Sequence, residues 1–114
     1  MKITEAQIKR ACEEYLEYGQ NLGKWMWLRL NSGHAFMPGG SKAFYKIKLC
    51  PKGTADILVI RDGQPIFLEI KSLAGKISKE QLDFERLAIR NGASYRVIKS
   101  LEELQDIGLI TSKR

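Results

Sequence analysis

Cysteine is scarce in this chain: Cys12 and Cys50 are the only two among 114 residues. That excludes a disulfide framework and a four-ligand zinc pattern, and it predicts a reducing compartment. With three prolines and no low-complexity run, the chain does not resemble a disordered one. Its 44% hydrophobic and 28% charged residues place it near the globular average. No apolar run approaches the roughly 20 residues that span a bilayer, and the start MKITEAQIKR has no signal-peptide core. The expectation is a soluble, cytoplasmic protein with no membrane partner. Acidic residues are also in the minority, 13 Asp and Glu against 19 Lys and Arg, for a net charge of +6. Such an excess favours polyanions, with nucleic acid the common partner, although charge that serves only solubility gives the same balance. The length allows one domain, residues 1–114, in which folding buries roughly two-thirds of the unfolded chain's surface.

Helix signals are strong. Thr4 with Gln7 forms a capping box, Ile3 with Ile8 a hydrophobic staple, and Ile8, Ala11, Cys12, Tyr15 and Leu16 recur at helical spacing until Gly19, the expected stop. Cys12 therefore belongs to the core. Trp25–Leu30 and Phe44–Leu49 read as strands, separated by a polar, glycine-rich loop from Asn31 to Lys42 that is long enough to suspect function. Ala55–Arg61 and Pro65–Lys71 flank Asp62-Gly63, the dipeptide of a type I′ hairpin turn. Ser78 and Gln81 repeat the capping box for a helix running to about Asn91. Ser94–Lys99 is a further strand, and Ser100 with Glu103 opens a short helix ending around Gly108. The predicted order is helix, three or four strands, helix, strand, helix: an α/β fold with a mixed sheet around the 56–71 hairpin.

That hairpin carries the chemistry. A two-residue turn pairs Arg61 with Gln64 and so sets Asp56 opposite Glu69, at a non-hydrogen-bonded position where Cα atoms are about 4.5 Å apart. Lys71 projects to the same face as Glu69, and only an odd shift such as a bulge separates the three. Both strands are apolar on both faces, as central buried strands are. Two facing carboxylates at their end repel each other and lose hydration, which stability alone does not explain. Two readings fit. A divalent cation removes the repulsion, and Mg²⁺ suits it because it accepts one or two carboxylates and keeps several waters. Alternatively, Lys71 neutralises one acid in a structural ion pair.

Gly53-Thr54-Ala55-Asp56, the hairpin, Phe67-Leu68-Glu69-Ile70-Lys71-Ser72 and Ser78-Lys79-Glu80-Gln81 together resemble the PD-(D/E)XK nuclease superfamily, and in detail its VRR-NUC (virus-type replication-repair nuclease) branch. Further matches are Glu5 in the first helix and the stretch with Arg29, Asn31 and Gly33. Ala55 departs from the proline in the superfamily's name, which loosens the turn but removes no ligand. The resemblance implies a single compact restriction-endonuclease-like domain whose central mixed sheet is flanked by helices. It implies that Asp56, Glu69 and the carbonyl of Ile70 bind Mg²⁺ or Mn²⁺, that Lys71 positions or activates the attacking water, and that Glu5 completes or orients the metal shell. Glu5 equally reads as a favourable charge at a helix N-terminus. Gln81, on the core-facing stripe of Phe84 and Ala88, supports the Lys71 and Glu69 end of the strand or caps its own helix.

The activity so implied is metal-dependent endonucleolytic hydrolysis of DNA, on branched DNA in the manner of a Holliday junction resolvase, by a homodimer, with a virus or mobile element as a natural setting. Arg29, Asn31, Lys46 and Lys48 are the candidate nucleic-acid contacts. The two lysines alternate with apolar residues, a pattern that a merely solvated strand face shares. A non-catalytic DNA-binding module and a nuclease acting on RNA or other DNA structures are the alternatives. Gly39-Gly40-Ser41-Lys42 does not follow the P-loop order. His34 reads as a solvent-exposed loop residue, and Trp25 and Trp27 read as core or interface.

Overall fold

The structure, a computed structural model, describes residues 2–39 and 42–107. The elements are α1 (Glu5–Asn21), β1 (Met26–Arg29), β2 (His34–Gly39), β3 (Lys42–Lys48), β4 (Ile57–Arg61), β5 (Gln64–Ile70), α2 (Lys79–Arg90), β6 (Ser94–Ile98) and α3 (Leu101–Asp106). β1, β4, β5 and β6 form one sheet in the order β1-β4-β5-β6. Its first two pairings are antiparallel and the β5/β6 pairing is parallel, so the sheet is mixed. β4 and β5 take the two central places that their two-sided apolar composition predicts. The turn between them has positive φ at both Asp62 (53°) and Gly63 (78°), as a type I′ turn requires. Arg61 faces Gln64, and the register runs unbroken to Ile57 opposite Leu68.

α1 packs on one face of the sheet, beside α3. Leu16, Ile57, Leu68, Ile70, Ile98, Leu104, Val59 and Cys12 are fully buried between these layers. α2 covers part of the other face, where Phe84 meets Phe67 edge-on at 4.9 Å between ring centroids. Over β1 that face is open, and Met26 and Leu28 are each 46% exposed. Both capping boxes are present: Thr4 and Gln7 at α1, Ser78 and Gln81 at α2.

Two expectations need correction. Gly19 does not stop the first helix, which continues to Asn21; the chain turns at Gly23, where φ is 78°. Gly19 is buried because the Trp25 ring occupies the place a Cβ would take, and the Trp25 indole N–H donates to the Leu16 carbonyl at 2.9 Å. The 31–42 stretch is not one long loop. Its second half is β2, which pairs antiparallel with β3, so five strands rather than three or four precede α2. Among the described residues this β2–β3 hairpin contacts no other helix or strand. It is an arm joined to the body at its root, where Ser32 bridges Cys50 and the Cys50 N–H donates to the Asn31 carbonyl at 2.9 Å. Gly40, Ser41 and the helix end expected at Gly108 lie outside the described residues. Among those described, no helix is long and apolar enough to cross a membrane.

Candidate active site

Sheet topology collects the candidate residues at one edge of the molecule. The C-terminal ends of β1, β5 and β6 and the start of β4 all lie at the same end of the sheet. Asp56 directly precedes β4, and its carbonyl accepts from the Leu30 N–H at 2.8 Å, which ties it to the end of β1. Its side chain caps β5: Oδ2 accepts from the Ile70 N–H at 2.7 Å, and Oδ1 faces the Lys9 ammonium at 3.3 Å. The Asp56 carboxylate thus takes the amide of Ile70 just beyond the last paired residues, Ile57 and Leu68. The turn that delivers Asp56 needs glycine at position 53. There φ is 93°, and an added Cβ would collide with the Glu80 backbone in the first turn of α2.

Among the described residues Glu69, 3% exposed, is the one charged or polar residue in the buried core. Its Oε2 accepts from Gln81 Nε2 at 2.8 Å and lies 3.8 Å from Lys71 Nζ. Its Oε1 is buried with no hydrogen-bond partner. Burial, followed by the Asp56 charge, pushes the Glu69 carboxyl up from 4.5 to about 7; Lys71 and Lys9 pull it down, and Glu5 raises it. The two carboxylates are therefore electrostatically coupled, as the hairpin register predicts. At 3.8 Å, Lys71 is within ion-pair reach of Glu69 but beyond hydrogen-bond distance. An ion pair with Lys71 does exist, then, yet it leaves Oε1 orphaned and the carboxyl still shifted upward. A lone buried acceptor costs about 1–3 kcal/mol, more when charged.

A divalent cation fits this donor set. It would use the orphaned oxygen and remove the carboxylate repulsion, and Mg²⁺ asks for no more than one or two protein carboxylates. Among the described residues, no three His, Cys, Asp or Glu side chains are gathered closely enough to hold an ion. Glu5, at the exposed start of α1, is near enough for its charge to reach Glu69 but is not assembled with the other two acids. It also supplies the acidic first turn of α1.

Gln81 performs both roles that its position allows. Its Oε1 accepts from the Ser78 N–H at 2.9 Å to complete the capping box, while its Nε2 holds Glu69. Of the candidate nucleic-acid contacts, Arg29 is engaged by Glu13 of α1 through two hydrogen bonds of 2.9 and 2.8 Å. Asn31 is exposed at the root of the arm, and Lys46 and Lys48 are exposed along β3.

Two residues at the site escaped the sequence reading. Lys9, one turn after Glu5 and so on the same face of α1, pairs with Asp56. Tyr95 of β6 is 5% exposed, and its hydroxyl is buried without a partner. Burial and the charges of Glu69, Glu85 and Asp56 hold that hydroxyl in its protonated form.

No protein-family model matches the chain, and no curated protein does. Among solved structures the chain is similar to a VRR_NUC domain, with 20% sequence identity and a TM-score of 0.59 over 92% of this chain and 95% of that one. At that identity the likeness speaks for the architecture, and this chain has the fold of a VRR_NUC domain.

Proposed function

We propose that this chain is a metal-dependent endonuclease that hydrolyses DNA phosphodiester bonds, acting on branched DNA as a homodimer. The observation that carries the reading is the buried Glu69 carboxylate, with one oxygen unpaired, coupled to Asp56 and flanked by Lys71. The VRR_NUC-like fold and the net charge of +6 support it. Asp56, Glu69 and the Ile70 carbonyl would hold Mg²⁺ or Mn²⁺, with Glu5 completing or orienting the set. Bound there, the ion supplies Lewis acidity toward water and toward the phosphate.

The protein's own groups supply the rest. Gln81 fixes the Glu69 carboxylate through Oε2, which leaves Oε1 without a hydrogen-bond partner and so available to an ion. The Ile70 N–H and Lys9 orient Asp56 in the same way. Lys71, mostly buried with 15% of its side chain exposed, offers an ammonium donor that positions the attacking water and stabilises charge developing on the phosphate. A domain of this size has little surface for reading sequence, so shape selects the substrate. A twofold dimer would set two such centres against two strands, and the exposed Met26 and Leu28 are surface of the kind that a second copy covers.

The test offers labelled four-way junctions, flaps, plain duplex and RNA side by side, with Mg²⁺, Mn²⁺ or EDTA. Junctions and flaps should be cut in either metal and remain intact in EDTA, and Lys71→Ala should reduce cutting roughly a hundredfold or more without loss of fold. Cutting of RNA alone, or none with any metal, overturns the proposal.

A further inference from the structure

The β2–β3 arm carries an arrangement that the catalytic reading does not use. Strand alternation and the pairing of Phe36 with Lys46 and of His34 with Lys48 put these four residues on one face of the hairpin. All four are exposed. Phe36 is 67% exposed, against 59% for Tyr18 of α1. It supports no core, because the arm packs against no other element among the described residues. An isolated two-stranded hairpin is marginally stable in water, and an uncovered phenyl ring on it adds nothing to folding. Directly across the strand from the ring is Lys46, and diagonal to it on the same face is Lys48, so an occupant that complements these groups is anionic and carries flat apolar surface. Unpaired bases with their phosphates have both properties.

The arm also stands in the right place. Its root at Asn31 and Cys50 follows directly from Leu30, whose N–H donates to the Asp56 carbonyl. Phe36 lies four residues beyond Ser32, with a bend at Gly33 between them, and so at most about 13 Å from it.

From this we infer that the arm grips unpaired DNA beside the catalytic centre: a base stacks on Phe36 while Lys46 and Lys48 hold the flanking phosphates. The arm thereby selects substrates with single-stranded or splayed nucleotides, such as forks and junctions. The inference rests on the reading of the chain as acting on nucleic acid, and it names the substrate feature recognised.

Fluorescence anisotropy in EDTA, where no strand is cut, tests it with a labelled single-stranded oligonucleotide, a forked duplex and a blunt duplex of equal length. Phe36→Ala should weaken binding of the first two on the order of tenfold and of the blunt duplex less than twofold, while Phe36→Trp restores affinity. Lys46→Ala with Lys48→Ala should flatten the salt dependence for single strands by about 1.4 in the slope of log affinity against log salt. Circular dichroism checks that each variant is folded. Equal losses on all three DNAs, or none, overturn the arm's role and leave the nuclease proposal standing. Failure of the wild type to bind any DNA removes both. A change from dimer to monomer on Phe36→Ala, read by light scattering, assigns the arm to a second copy of the chain and overturns the inference.

Discussion

Replacing Glu69 by glutamine should stabilise the metal-free protein at alkaline pH, a counter-intuitive outcome for a residue at the heart of the site. The folded protein holds the Glu69 proton up to about pH 7, against 4.5 for an ordinary glutamate. Between those values the folded state keeps a proton that the unfolded chain has released. The associated stability is fully present below about pH 4.5 and is lost as pH rises through about 7. That difference corresponds to about 3 kcal/mol at pH 8. Glu69→Gln resembles the protonated form at every pH and keeps a carbonyl oxygen for Gln81. In EDTA at pH 8 it should melt higher than wild type, on the order of 10 °C for a domain of this size. The gap should close as pH falls toward 4.5. Saturating Mg²⁺ should raise the wild-type melting temperature and leave the variant unmoved, since an ion at a hundred times its dissociation constant contributes about 2.7 kcal/mol. Differential scanning fluorimetry across pH 4.5–8.5, with EDTA or Mg²⁺, reads all of this. Equal melting of the two proteins at pH 8 in EDTA, or a gap that does not vary with pH, would refute the assignment of Glu69 as a desolvated, metal-seeking carboxylate.

Asp56→Ala and Asp56→Asn should both reduce cleavage roughly a hundredfold or more. Only alanine removes the acceptor for the Ile70 N–H, so it alone should lose stability, by about 1.5–3 kcal/mol in a denaturant titration. Gly19→Ala drives a methyl group into the Trp25 ring and should cost about 1–3 kcal/mol, with a changed near-ultraviolet circular dichroism signal. Gln81→Ala removes the Gln81 half of the α2 capping box, a hydrogen bond worth about 1 kcal/mol, and also strips the Nε2 donor from Glu69. Besides lowering stability, it should therefore shift the acid limb of the cleavage pH profile upward, an effect that loss of a cap elsewhere, as in Thr4→Ala, should not produce.

What was legible in the sequence is what is local. The Asp62-Gly63 turn specifies its own register, and period-two alternation then carries that register to Asp56, Glu69 and Lys71. The capping boxes close over three residues and needed no tertiary information. β2 was not legible because its exposed residues, with Pro38 and Gly39 at its end, show no buried face to read. It becomes a strand through its pairing with β3. Gly19 misled because a glycine near a helix end usually signals a stop, and the aromatic ring that it accommodates lies six residues on. Lys9 and Tyr95 reach the site only through the packing of α1 and the parallel placement of β6 beside β5, pairings across 47 and 28 residues that no local pattern encodes.

Gln81 shows why a local reading of a site can be complete and still pose the wrong alternative. From sequence, helix cap and support for Glu69 compete for one side chain. An amide, however, has an acceptor and a donor pointing in different directions. The capping box consumes the oxygen at Ser78 N, which fixes the side chain's torsions and turns the nitrogen toward Glu69 Oε2. The start of α2 and the orientation of the buried carboxylate are thus set by the same residue. Because Gln81 occupies one oxygen of Glu69 and leaves the other unpaired, the local rule that begins a helix also determines which oxygen remains available to a cation.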